Sequence, residues 1–159
     1  MEKIWAPWRF EYIGSHPRGC FFCKGLKSKN PKKALLLEKN KHAIMIMNRY
    51  PYNNGHVMIA PCRHVGVYEK LQQSEIIAMH ALLIRAIKAL KYAMHPQGFN
   101  IGINQGASAG AGVIGHIHIH CVPRWRGDTN YMPVFADTKI VSDSLENTYI
   151  MLKQALKTI

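Results

Sequence analysis

Three histidines, His116, His118 and His120, alternate with Ile117, Ile119 and Cys121 in one short apolar run. Alternate residues of an extended segment point the same way, so the three imidazoles share one face and the apolar residues the other. Imidazole is a nucleophile at neutral pH, and its ordinary pKa of about 6.5 also suits proton transfer or metal binding. A lone strand histidine is more often a hydrogen-bonded structural residue. Three in register, beside a loop of small residues, point to chemistry. That loop, Gly106-Ala-Ser-Ala-Gly-Ala-Gly112, includes Gly110 and Ala111, and its N–H groups are free of bulky neighbours. Such a backbone either cradles a phosphate as anion-binding nests do, or is a flexible turn.

A second group with chemical potential is Cys20-Phe-Phe-Cys23. Two thiolates at this spacing converge on one metal or form a redox pair. Cys62 and Cys121 have no diagnostic spacing. The start, Met1-Glu2-Lys3-Ile4-Trp5, lacks the apolar stretch of a secretory signal, so a disulfide framework is not expected and a cytoplasmic location is. No apolar run approaches the roughly 20 residues that cross a bilayer, so no membrane partner is expected.

These residues need a scaffold to hold them. Apolar runs at 34–38, 43–47 and 55–60, broken by Asn, Pro and Gly, read as antiparallel strands, with Tyr50-Pro-Tyr-Asn-Asn-Gly55 as a hairpin turn. Period two returns at 99–104 and 116–122. Ser74 is expected to cap a long helix that begins at Glu75, carries Ile76, Ile77, His80, Leu83, Ile84, Ile87 and Leu90 at helical spacing, and ends at His95-Pro96. Leu145, Tyr149, Leu152, Leu156 and Ile159 form the stripe of a second helix. The fold class is α+β, an antiparallel sheet carrying two helices. Residues 1–30 read as an irregular arm that packing or a metal would order, and zinc would supply that order.

The 159 residues, 48% hydrophobic and 19% charged, fit one domain over 1–159 with a real core. A formal charge of +12 favours an anionic partner, either nucleic acid or a small polyphosphate, and does not choose between them. The dense basic patch from Lys24 to Lys41 reads as a solvated face or loop.

The run Gly115-His-Ile-His-Ile-His-Cys-Val122 resembles the signature of the histidine-triad superfamily. With Pro123-Arg-Trp-Arg-Gly-Asp128, Asn104-Gln-Gly106 and Ala109-Gly-Ala-Gly112 it is most similar to the bacterial diadenosine tetraphosphate phosphorylase-like branch. Trp5-Ala-Pro-Trp-Arg9 and the segment from Asn48-Arg49 to Gly55-His56 extend the likeness across residues 5–135.

The resemblance implies a five-stranded antiparallel sheet with a long helix and a C-terminal helix. It implies that His118 attacks the α-phosphorus of a dinucleoside polyphosphate and forms a nucleotidyl-imidazole, which water or phosphate then releases. His120 would hydrogen-bond the phosphate or help the leaving group depart, and His56 is a further active-site histidine. Asn48 would lie near the ribose and Asn104 would steady the nucleotide or phosphate; read alone, each is a turn or strand-end asparagine. The resemblance also implies a structural zinc held by Cys20, Cys23, His64 and His116, and a homodimer. Alternatives are a nucleoside phosphoramidase, or a nucleotide- or nucleic-acid-binding protein of the aprataxin-like type. No nucleic-acid motif extends the domain, so a small nucleotide is the expected partner and nucleic acid is not.

Overall fold

The computed structural model describes residues 19–128 and 143–159. The arm before residue 19, with its tryptophan-rich segment, lies outside them. Five apolar runs form β1 (Leu36–Lys39), β2 (Ala43–Met47), β3 (Val57–Pro61), β4 (Gly98–Ile103) and β5 (Ile119–Arg124). All neighbours are antiparallel, and the order across the sheet is β1-β2-β3-β5-β4. The expected α+β class and five-stranded sheet are therefore observed.

Of the five expected strands only 43–47 keeps its bounds; 55–60 becomes Val57–Pro61 and 99–104 becomes Gly98–Ile103, and the shifts of β1 and β5 have local reasons. β1 starts later than expected because the chain turns through Pro31–Leu35, and Leu35 sits in the left-handed region at φ 59°. β5 starts at Ile119, so only His120 of the three histidines lies in the strand ladder. His116 and His118 lie in the segment before it, where Ile117 donates its N–H to the Val65 carbonyl at 2.7 Å. The alternation of side chains survives, but both faces of this segment are buried, which differs from one face packed and one face open.

Three α-helices, α1 (Phe21–Lys27), α2 (Gln73–Met94) and α3 (Leu145–Thr158), and two single 3-10 turns at Tyr68–Lys70 and Ala107–Ala109 complete the described chain. The described part of the expected irregular arm, from residue 19, thus contains a short helix, α1. Ser74 does not cap α2. The helix begins at Gln73, and the Glu75 carboxylate receives the N–H of Gln72 at 2.8 Å, closing the first turn from inside. The buried stripe of α2 is Met79, Leu82, Leu83, Ala86, Ala89 and Leu90, whereas Ile77 and Ile84 of the expected stripe are 62% and 55% exposed. Helical spacing alone does not say which face turns inward; alanines at 86 and 89 let the helix lie close to the sheet.

The core sits between α2 and strands β2, β3 and β5, with α3 against α2 and β1. Ser144 caps α3 by accepting the Asn147 N–H, and Tyr149 donates its hydroxyl to the Leu36 carbonyl at 3.1 Å. Among the described residues no helix is long and apolar enough to cross a membrane.

Candidate active site and adjoining metal centre

The histidines stand in a longer row of rings. His116 and His118 each pack against Phe22, at centroid distances of 4.9 and 4.8 Å. His118 meets His120 edge to face at 4.7 Å, His120 meets His56 at 5.1 Å, and His56 stacks on Tyr52 at 4.9 Å and 19°. At the other end His64 meets His116 at 5.2 Å. The middle of this row can act as a nucleophile, one end can bind metal, and the other can orient a hydrogen-bond donor.

Backbone partners decide where each ring carries its proton, since a carbonyl can only accept and an amide N–H can only donate. His118 donates Nδ1–H to the His116 carbonyl at 2.8 Å, which leaves the Nε2 lone pair for attack. Burial lowers the His118 pKa, partly opposed by that hydrogen bond, so the ring is held neutral and nucleophilic. His56 accepts at Nδ1 from the Tyr52 N–H at 3.2 Å, so its proton sits on Nε2. That proton is donated to His120 Nδ1 at 2.9 Å, and His120 consequently carries its own N–H on Nε2. Asn48 reinforces the arrangement: its Oδ1 accepts the Tyr50 N–H at 2.9 Å, which turns its Nδ2 towards His56 Nδ1 at 3.3 Å.

The loop that carries His56, residues 48–56, is anchored on three sides. Asn53 donates Nδ2–H to the Pro123 carbonyl at 3.1 Å and to Asp128 at 2.8 Å. Asp128 in turn receives Arg124 through two bonds of 2.6 and 2.8 Å. Asn54 accepts from Thr148 of α3 at 3.0 Å. Gly55 is required at φ 75°, because a Cβ there would lie 2.8 Å from Met94 Sδ and 2.9 Å from Leu90 Cδ2.

At the other end of the row, His116 donates Nε2–H to the Pro61 carbonyl at 2.8 Å, aiming its Nδ1 lone pair at Cys20 Sγ, 3.2 Å away. Cys23 Sγ lies 3.7 Å from the same nitrogen and 3.4 Å from His64 Nδ1. These four ligand atoms all fall within 4.8 Å of one another. A tetrahedral zinc with ordinary bond lengths spaces sulfur and nitrogen ligands about 3.5 Å apart, so the cluster fits such an ion. The carbonyl of Pro61 fixes the His116 ring as a partner outside the ligand set would.

The family described as "HIT domain" matches residues 28–127. The chain belongs to the HIT, or histidine-triad, family. A relative from Mycobacterium tuberculosis named AP-4-A phosphorylase is 31% identical, across 96% of this chain and 83% of the relative. The bis(5'-nucleosyl)-tetraphosphatase (asymmetrical) of Schizosaccharomyces pombe is 27% identical, across 75% of this chain and 62% of the relative. Among solved structures, a zinc-bound histidine triad family protein from Mycobacterium smegmatis superimposes with a TM-score of 0.70 at 25% identity, covering 88% of this chain and 94% of its own.

In this HIT protein the structure brings His118, His120, His56 and Asn48 together, and Cys20, Cys23, His64 and His116 together. The small-residue loop leaves β4 at Asn104. Its neighbour Gln105 accepts the Tyr68 N–H at 2.7 Å and donates to Glu69 at 3.2 Å, which pins the loop base. Beyond it Gly106 and Gly110 stand at positive φ with nothing within 4 Å of where a Cβ would project. Gly110 and Ala111 spend their N–H groups inside the loop, on the carbonyls of Ala107 and Gly106.

Sequence reasoning missed Phe22, Tyr52, Asn53 and the structural use of Arg124 and Asp128. Phe22 was visible only as a spacer between two cysteines, and Tyr52 and Asn53 only as turn residues. The roles of Phe22 and Asn53 come from contacts 70 or more positions distant in the chain, whereas Tyr52 combines a local bond to His56 with a ring contact to His120.

Proposed function

We propose that this HIT protein is a nucleotidyl transferase or hydrolase that cleaves dinucleoside polyphosphates, such as diadenosine tetraphosphate, at the α-phosphate. The observation that carries the reading is the His118 Nδ1–H bond to the His116 carbonyl, since it commits the opposite nitrogen to bond formation. His118 Nε2 attacks the α-phosphorus, a bond forms between them, and the bond from phosphorus to the bridging oxygen breaks. The electron pair leaves with the departing nucleotide. His120 presents Nε2–H to a phosphate oxygen, and His56 holds it in that tautomer. Water or inorganic phosphate then displaces the imidazole and restores the ring.

Asn48, Asn104, Gly106, Gly110, Ala111 and Gly112 are assigned to the substrate, with Asn48 near the ribose and the loop at the phosphates, where Gly110 and Ala111, whose N–H groups close the loop's own turn, would line the phosphates rather than donate to them. The open space beside Gly106 and Gly110 supports this, and so does a chemistry that depends on positioning and charge stabilisation more than on elaborate covalent machinery. Cys20, Cys23, His64 and His116 would hold zinc, which would supply a structural crosslink and no open position for substrate. We read the chain as one domain in the cytoplasm.

A homodimer is inferred through β4, the sheet edge, which pairs only with β5 among the described residues and exposes Ile101 and Ile103 at 48% and 37%. Light scattering that returned a monomer mass would remove that inference.

Incubation with diadenosine tetraphosphate, with and without phosphate, tests the activity: phosphorolysis gives ADP and ATP, hydrolysis AMP and ATP. Substrate labelled at the α-phosphate should leave acid-sensitive label on His118. Turnover by His118→Ala near that of the parent would exclude the assigned nucleophile.

A further inference from the structure

The cysteine arm and the nucleophile are joined by a residue that neither the metal nor the reaction uses. Phe22 lies between Cys20 and Cys23 in sequence, is 0% exposed, and touches both His116 and His118 with one ring. Phe21 holds that ring edge to face at 5.5 Å. A second connection runs through the backbone, because His116 offers its Nδ1 to the cysteines and its carbonyl to His118 Nδ1–H. Any shift of the arm therefore reaches the His118 ring twice, once through its packing wall and once through its hydrogen-bond acceptor.

We propose that Phe22 is a positioning residue for His118, and that the Cys20–Cys23 turn transmits metal occupancy to the orientation of the attacking nitrogen. The proposal rests on the reading of His118 as the nucleophile and of the four-residue cluster as a zinc site. An imidazole with one hydrogen bond retains a rotation about that bond. Ring contacts with Phe22 at 4.8 Å and His120 at 4.7 Å remove it. α1 is short, so its packing against the sheet does not fix it as a long helix would be fixed, and the crosslink from Cys20 and Cys23 to His64 and His116 supplies what is missing.

A displacement of about 1 Å at a reacting atom can cost up to about a hundredfold in rate while leaving binding intact. Phe22→Leu, which keeps most of the buried volume, is thus expected to lower kcat about tenfold with KM changed less than about twofold. Zinc content, measured by metal analysis, should stay near that of the parent. A merely structural role would instead lower stability without separating kcat from KM.

The unmodified protein supplies a test that does not depend on a variant folding. With nitrogen-15 in the imidazoles, His118 should show a single Nδ1–H tautomer and cross-relaxation to the Phe22 ring. Removing the metal by chelation should broaden or shift the His118 signals, abolish the Phe22 contact, and reverse when zinc is restored. Unmoved His118 signals after chelation, a protein purified without metal whose His118 is equally ordered, or a Phe22→Leu variant with the parent kcat would each overturn the proposal. None of those results touches the nucleophile itself, which fails only if His118→Ala still turns over.

Discussion

Two loops flank the His118 row and are built on opposite principles. Residues 48–56 are mostly buried, with Asn53, Asn54 and His56 all inside and every one of them hydrogen-bonded. Residues 106–112 are mostly exposed and held chiefly by their own turn and by Gln105 at the base. The first loop must hold a ring tautomer, which demands fixed donors at fixed distances. The second is assigned to a ligand that arrives from solvent, which demands access. Order in the first and openness in the second are two answers to two chemical tasks.

The sharpest way to break this comparison is to place the same side chain in both loops. Gly55→Ala combines a left-handed φ with two contacts under 3 Å, and should cost about 3 kcal/mol, or roughly 6–12 °C in Tm by calorimetry. A loss below 1 kcal/mol would mean the buried loop yields as easily as an open one. Next in size is Asn53→Ala. It strips the Pro123 carbonyl and Asp128 of a buried donor, for an expected loss of about 2 kcal/mol in a denaturant titration.

Gly110→Ala should cost only about 1 kcal/mol, because φ 79° is its whole penalty and space is free. Its larger effect should fall on KM for the polyphosphate, and an unchanged KM would count against a phosphate role for the loop. The smallest effect is a control outside both loops. Arg63 hydrogen-bonds Glu75 and holds its carboxyl below the ordinary range, against burial. A depressed folded pKa stabilises fully above the ordinary value of 4.5 and loses that stabilisation as pH falls through the lower folded value. The stability gap between the parent and Glu75→Gln should therefore be constant above pH 4.5 and close below it, and a gap that persisted at strongly acid pH would reject this account.

The residues themselves determined a good deal. The apolar run at 43–47, period two at 99–104 and 116–122, Asn and Gly at the breaks, and His95-Pro96 at a helix end were enough for the α+β class and the long helix. So were three alternating histidines for a row of rings, because alternation is a local property of extended chain. The inward face of α2 was not legible: Ile77 and Ile84 satisfy helical spacing as well as Met79 and Ala86 do, and only the sheet chooses between them. Tertiary structure alone decided the protonation of His116, through the carbonyl of Pro61, and of His120, through His56, whereas His118 and His56 take theirs from backbone two and four positions away. It also turned Phe22 from a spacer into the wall of His118. Short-range pattern is written in neighbouring residues, whereas a hydrogen-bond partner 55 positions away, as Pro61 is from His116, exists only once the chain has closed on itself.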